Sequence, residues 1–224
     1  MNDLSLREMI KSFREELERK SAVREELFST SRKITFLSKQ SIMAIHREDF
    51  SNAKEKLSEA GKMLKKMNEL TSIHQELITG SMRIAHQEYA EAQIFLQIVE
   101  SDAFPTPHEI NIPTTEYLLG LADAIGEFRR RALDSLRKNK LNIAESSLQI
   151  MENIYLELVS LEGAYRLIPE LRRKCDIARR LIELTMGELS TETRRRSLEK
   201  AIFHLEKKIT VEKDTDNCED NIQS

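Results

Sequence analysis

The sequence predicts an all-α protein built as a single helical domain over residues 1–209, and its composition supports that fold class. The chain has only six Gly and four Pro in 224 residues, and three of the prolines fall at 105, 107 and 113. Gly and Pro favour turns, and an all-β fold needs many turns, so their scarcity argues against that fold class. Charged residues make up 33% and apolar residues 40% of the chain. No apolar run reaches the roughly 18 to 20 residues that span a bilayer, and the charged N-terminus lacks a signal-peptide core. We therefore expect a soluble, cytoplasmic protein with no membrane contact.

Apolar residues recur at helical spacing in seven stretches, which predicts a seven-helix bundle. The predicted helices cover residues 3–47, 50–72, 74–101, 114–138, 141–162, 169–186 and 190–208. Asp49 is suited to cap the second helix, Asn139 to end the fourth, Pro169 to begin the sixth and Gly187 to end it. The proline-containing segment 102–115 is predicted to be an ordered loop. The polar segment 210–224 is predicted to be a disordered tail.

Basic residues are segregated along the chain although the formal net charge is −3. Residues 31–47 contain Arg32, Lys33, Lys39 and Arg47 and no acid. In this helix an apolar face is formed by Leu27, Ile34, Leu37 and Ala44. At about 100° per residue, Arg32, Lys39 and His46 fall on roughly the opposite face. A second basic run consists of Arg129, Arg130 and Arg131. Each run is either a solvated surface or a set of phosphate contacts.

Several common classes of site have no support in the sequence. Neither a GxGxxG nor a GxxxxGK[ST] phosphate loop occurs. The zinc motifs CxxC and HExxH are absent, and so is the Glu-x-x-His motif of di-iron helical bundles. The nucleophile motif GxSxG is also missing. The remaining candidates for chemistry are carboxylates.

Two pairs of acids lie within apolar helical segments. Glu88 and Glu91 are spaced i, i+3, and Asp123 and Glu127 are spaced i, i+4, so each pair shares a helix face. Glu116, seven residues before Asp123, projects to nearly the same side, although an acid in the first turn is also stabilised by the helix dipole. Burying an unpaired carboxylate costs several kcal/mol, and a hard divalent cation such as Mg²⁺ or Mn²⁺ would compensate for that cost. In so charged a chain, however, such pairs are more often solvated or salt-bridged, and spacing alone leaves both interpretations open.

At these residues the sequence resembles the translin/Trax family. The resemblance lies in REELFSTSRKITFLSKQSIMAIHR (24–47), HQEYAEAQIFLQIVE (86–100) and EYLLGLADAIGEFRRRALDSL (116–136), and the order fits the family to about residue 208. The third segment is the most specific and is closer to Trax than to translin. Trax subunits carry the catalytic carboxylates of the family, whereas translin subunits generally lack the aspartate of this segment. The QEYxEA match supplies Glu88 and Glu91, and LLGLADAIGE supplies Asp123 and Glu127.

The resemblance implies a specific activity and assembly. It implies a translin-like fold and a metal-dependent endoribonuclease that cleaves single-stranded RNA with Mg²⁺ (or Mn²⁺) inside a hollow, octamer-like oligomer. Glu88, Glu91, Asp123 and Glu127 would be the metal ligands, with Glu127 as a ligand or a base. Arg32, Lys33, Lys39, Arg47 and Arg129–Arg131 would bind the nucleic acid. The compact loop at 102–115 suggests a prokaryotic or archaeal version that forms a homo-oligomer, with the need for a translin-like partner subunit open. The alternative is a non-catalytic protein that binds single-stranded RNA or DNA.

Overall fold

The computed structural model describes the backbone of residues 6–220 and the side chains of residues 6–207 except residue 162. Within that range the chain forms six α-helices: α1 (Leu6–His46), α2 (Phe50–Ile73), α3 (Gly80–Ser101), α4 (Thr114–Arg137), α5 (Leu141–Ser160) and α6 (Pro169–Asp220). Two short 3-10 helices, Gln75–Leu77 and Glu162–Arg166, lie in the connections. The all-α prediction is confirmed.

The prediction of seven helices is wrong, because the predicted sixth and seventh helices are one continuous helix, α6. Gly187 does not end it. A mid-helix glycine costs only about 1 kcal/mol relative to alanine. Thr185 and Leu189, on either side of Gly187, are both buried against the bundle, and this packing carries the helix through the weak position. The third helix is shorter than predicted: it was expected over 74–101 but begins only at Gly80.

Most other helix ends lie where local signals place them. The Asp49 side chain accepts a hydrogen bond of 3.2 Å from the backbone N–H of Asn52 and so caps α2. Asn139 follows α4 with a φ of 60°, a left-handed conformation that asparagine tolerates better than most residues. Pro169 begins α6. Helix α1 runs through Ser21 without a break.

Helix α3 lies at the centre of the bundle, where it packs against α1, α2 and α4, and α4 in turn packs against α5 and α6. The side chains of Phe95 in α3 and Phe128 in α4 are fully buried and meet edge to face, with ring centroids 5.1 Å apart. Burial of each such side chain contributes about 2–3 kcal/mol. The packing of these two side chains in the hydrophobic core therefore stabilises the middle of the α3–α4 contact.

Gly120 sets the distance between α3 and α4. A Cβ atom at this position would lie 2.7 Å from the backbone oxygen of Gln87 and 3.0 Å from the backbone nitrogen of Glu91. Only a residue without a side chain permits so close an approach of two helix backbones. The two helix backbones therefore approach each other closely beside Glu91.

Among residues 6–220, no helix is both long enough and apolar enough to cross a membrane. Helix α6 runs past the end predicted near residue 208. The disordered tail at 210–224 stays a prediction, and residues 221–224 lie outside the described part of the chain.

Candidate functional site

The four acids singled out by the sequence lie close together where α3 meets α4; we call Glu88, Glu91, Asp123 and Glu127 the acid cluster. Glu91 is at its centre and is 9% exposed. Burial, together with the negative charges of Asp123, Glu88 and Glu127, raises the pKa of Glu91 to about 9. Since like charges raise the pKa of an acid only at short range, this effect places all four carboxylates in one electrostatic environment.

The two acids at the rim of the cluster each contact a basic side chain of α1. The Lys39 Nζ lies 3.1 Å from a carboxylate oxygen of Glu88. The His46 Nε2 lies 2.6 Å from the Glu127 Oε2, and the centroid of the imidazole ring lies 5.0 Å from that of the Phe95 ring, with the two planes tilted by 42°. Helix α1 therefore lines one side of the acid cluster with basic groups.

Asp123 is held from two directions. Its Oδ1 contacts the Nζ of Lys174, which is 19% exposed and comes from α6. Its Oδ2 accepts a hydrogen bond from the side-chain amide of Gln87 in α3. Lys174 also lowers the pKa of Glu91, although less than the acids raise it. Among the described residues, Glu91 is the one member of the cluster for which no ion pair is formed.

The donor chemistry of the acid cluster fits a hard divalent cation, because Mg²⁺ and Mn²⁺ prefer carboxylate oxygens. The mutual repulsion that raises the pKa of Glu91 is also what such a cation would relieve. In the part of the chain that the structure describes, however, no three His, Cys, Asp or Glu side chains converge as a ready set of ligands. Asp123 is engaged at both oxygens, by Lys174 and by Gln87.

The basic residues predicted on α1 are exposed and differ in how they are engaged. Arg32 lies over the ring of Phe28, with 5.8 Å from guanidinium carbon to ring centroid. Lys33 pairs with Glu59 at 2.8 Å. Lys39 bridges to the acid cluster, and Arg47 lies at the exposed end of α1. Exposed ion pairs such as Lys33–Glu59 contribute little to stability.

The three arginines of the run Arg129–Arg131 have different surroundings in the structure. The Arg129 guanidinium donates to the Thr185 Oγ1 at 2.6 Å and pairs with Glu188 at 3.0 Å, so this residue ties α4 to α6. Arg131 is half-buried, and burial lowers its pKa. Arg130 is exposed, and its Nη1 lies 3.9 Å from a carboxylate oxygen of Glu127. Arg130 is therefore the member of the run best placed to reach a ligand at the acid cluster.

Sequence reasoning missed three residues of the site. His46 was assigned to the outer basic face of α1, and this is wrong: its side chain is 5% exposed and faces α3 and α4. A helical wheel gives relative angles but not the width of the buried sector, and α3 extends that sector to His46. Lys174 and Gln87 were not among the candidate residues, because no motif singles them out; Lys174 is one of five basic residues within 171–180.

Comparison with known proteins agrees with this architecture. A profile of the translin family matches residues 22–183. An uncharacterised protein of Methanocaldococcus jannaschii, MJ0175, is 34% identical over 177 residues, which cover 78% of each chain. The crystal structure of apo-NeC3PO superposes with a TM-score of 0.76 at 25% identity over 82% of this chain and 96% of that one. The crystal structure of AfC3PO gives 0.74 at 32%, and its complex with duplex RNA gives 0.73 at 30%, each over 84% of this chain and 98% of the other. The chain belongs to the translin family.

Proposed function

We propose that this protein is a metal-dependent endoribonuclease that cleaves single-stranded RNA, a catalytic, Trax-like member of its family. The observation that carries the proposal is the acid cluster, in which three carboxylates surround the buried Glu91 and raise its pKa. Strongly perturbed carboxylates are common at functional sites and uncommon on solvated helix faces. Glu88, Glu91, Asp123 and Glu127 would hold Mg²⁺ or Mn²⁺. A cation bound there would activate water for attack on a phosphodiester.

The surrounding residues of the chain have distinct tasks in this proposal. Gln87 orients the Asp123 carboxylate through its amide. His46 orients Glu127 and can share a proton between its Nε2 and the Glu127 Oε2, so that Glu127 serves as a ligand or as a base. The aromatic ring of Phe95 fixes the plane of the imidazole.

Basic residues at the rim would bind the RNA backbone. Lys39, Arg47 and Arg130 are exposed, and Lys39 and Arg130 lie beside the acid cluster. Because phosphate contacts need no base recognition, such a rim binds RNA without strong sequence preference. The relative AfC3PO is known in complex with duplex RNA, which supports RNA as the ligand class. The same observation equally supports the second candidate, a protein that binds single-stranded RNA or DNA without cleaving it.

Self-association into an octamer-like oligomer, alone or with a translin-like partner subunit, is part of the proposal. The outer face of α6 supports it. Four exposed apolar residues recur on this face at multiples of seven residues: Ile177, Leu184, Leu198 and Leu205. A seven-residue apolar repeat is typical of helices that pack against another helix.

One assay separates the two candidates. End-labelled single-stranded and duplex RNA are incubated with the protein in Mg²⁺ or in EDTA, and both cleavage products and complexes are measured. The nuclease proposal predicts internal cleavage of single-stranded RNA that requires Mg²⁺. Binding that weakens steeply with salt, with intact RNA in Mg²⁺, would favour the binding-only candidate and contradict the nuclease.

A further inference from the structure

We propose that Lys174 is the built-in counter-ion of the acid cluster: in the metal-free protein its ammonium group neutralises Asp123, and a divalent cation must displace it to bind. The inference rests on the proposed metal site. In this role Lys174 is a positioning residue that determines the affinity of the site for a divalent cation.

The geometry of Lys174 supports this role. Its Nζ contacts the Oδ1 of Asp123 and reaches the cluster from α6, whereas the four acids come from α3 and α4. The lysine side chain is 19% exposed and that of Asp123 is 28% exposed, so the contact is largely shielded from solvent. The neighbouring pair Lys39–Glu88 differs, because Lys39 is 60% exposed. Shielding makes the Lys174 contact stronger than an ordinary surface ion pair.

Lys174 also acts on the centre of the cluster. Its ammonium group lies against Asp123, an acid of the same cluster as Glu91. A single ammonium group thus offsets part of the repulsion among the carboxylates, and a divalent cation would offset more of it. A divalent cation at Asp123 and the Lys174 ammonium group would repel each other, so they compete for this acid.

Asp123, one of the proposed metal ligands, is already engaged in the metal-free protein. Both oxygens of Asp123 are engaged, one by Lys174 and one by Gln87. Release of Lys174 frees Asp123 Oδ1 for a cation. The affinity of the site therefore includes the cost of breaking the Lys174–Asp123 contact.

The test compares four forms of the full-length chain: wild type, Lys174→Met, Lys174→Arg and Lys54→Gln. Methionine keeps the length of the lysine without its charge, and arginine keeps the charge. Lys54 of α2 serves as the charge control; it pairs at 2.8 Å with Glu100, which lies on α3 nine residues after Glu91. Mn²⁺ binding is measured by calorimetry, and thermal unfolding is measured in EDTA.

Lys174→Met is expected to bind Mn²⁺ about tenfold more tightly than wild type, because a positive charge beside the ion is removed. Lys54→Gln is expected to change the affinity by less than about twofold, and Lys174→Arg to remain near wild type. In EDTA, Lys174→Met is expected to lose about 4 °C in Tm, and the double variant Asp123→Asn/Lys174→Met to recover most of that loss. A merely structural lysine would not tighten Mn²⁺ binding.

Equal or weaker Mn²⁺ binding by a folded Lys174→Met protein overturns the competition. Absence of Mn²⁺ binding in all four forms overturns the proposed metal site instead. In that case the unfolding measurement still decides the counter-ion role: a loss in Lys174→Met that Asp123→Asn does not recover overturns it, and a recovered loss supports it.

Discussion

Two stretches of the same α3–α4 contact bury acids in opposite ways. Near the start of α4, Glu116 is 6% exposed, and two basic side chains lie close enough to interact with its charge. The Arg83 Nε lies 3.6 Å away, and the charge of Glu116 raises the pKa of His86 against the larger lowering effect of burial. Two turns further along, Glu91 is 9% exposed and is surrounded by three more acids. The comparison teaches that burial of an acid does not by itself indicate a site; the charge balance around it does.

The Glu116 end is a closed polar network. The His86 Nδ1 donates to the Met82 carbonyl oxygen at 2.9 Å, and its Nε2 lies 2.7 Å from the Asn68 Oδ1. Asn68 also donates to the backbone oxygen of Asn111 at 3.1 Å and so connects α2 to the loop before α4. Both ring nitrogens of His86 face acceptor oxygens, so both contacts are hydrogen bonds only while the ring is protonated. The acid cluster lacks this balance, and we expect the two ends to respond to mutation with opposite sign.

The largest effect is expected for Glu91→Gln in metal-free solution. The pKa of Glu91 is raised from an ordinary value near 4.5 to about 9. Between these pH values the folded state therefore retains a proton that the unfolded state has lost, and stability falls as pH rises through this window. Glutamine does not ionise, so we expect the variant to be more stable than wild type by on the order of 3 kcal/mol at pH 8. Urea unfolding in EDTA measures this, and the difference should vanish near pH 4. A wild type that is the more stable protein at pH 8 would contradict the charge imbalance.

Gly120→Ala is expected to have the next largest effect. The added methyl group would meet the backbone oxygen of Gln87, which cannot move without shifting α3. We expect a loss of about 2 kcal/mol in the free energy of unfolding. Gly126→Ala is the matched control on α4, since its Cβ would meet nothing within 4 Å. It should gain about 0.5–1 kcal/mol through helix propensity. Equal changes in the free energy of unfolding for the two variants would show that α3 and α4 leave room for a methyl group at position 120.

The smallest effect is expected for Glu116→Gln. This variant removes the charge that faces Arg83 and His86, so it should lose about 1 kcal/mol rather than gain stability. The loss should be largest where His86 is protonated, at the acidic end of the range in which the protein stays folded. The same urea titrations measure it. Stabilisation comparable to that of Glu91→Gln would mean that the two ends do not differ in charge balance.

The fold was largely predictable because helix ends depend on local signals. Asp49, Asn139 and Pro169 mark ends that the structure places within one or two residues. Gly187 misled the prediction because the burial of Thr185 and Leu189, which keeps α6 continuous, depends on distant helices. Packing between helices that are distant in the sequence cannot be predicted from a local pattern of residues.

The candidate site was predictable only in part, for the same reason. The acids lie three or four residues apart on one helix face, so their spacing was visible. Their basic partners were not, because His46 is 81 residues from Glu127 and Lys174 is 51 residues from Asp123. The likeness to a family supplied the acids, whereas the counter-charges that decide how the acids behave come from tertiary contacts.

The most direct test of the central claim is the initial rate of Mg²⁺-dependent cleavage of single-stranded RNA by wild type, Asp123→Asn and Glu116→Gln. Asp123→Asn keeps the shape of the side chain and removes one carboxylate of the acid cluster. Glu116→Gln removes a more deeply buried acid from the balanced end. We expect Asp123→Asn to lose at least about a hundredfold in rate and Glu116→Gln to stay within about twofold of wild type. Cleavage by Asp123→Asn as fast as by wild type would contradict the assignment of the acid cluster as the catalytic site.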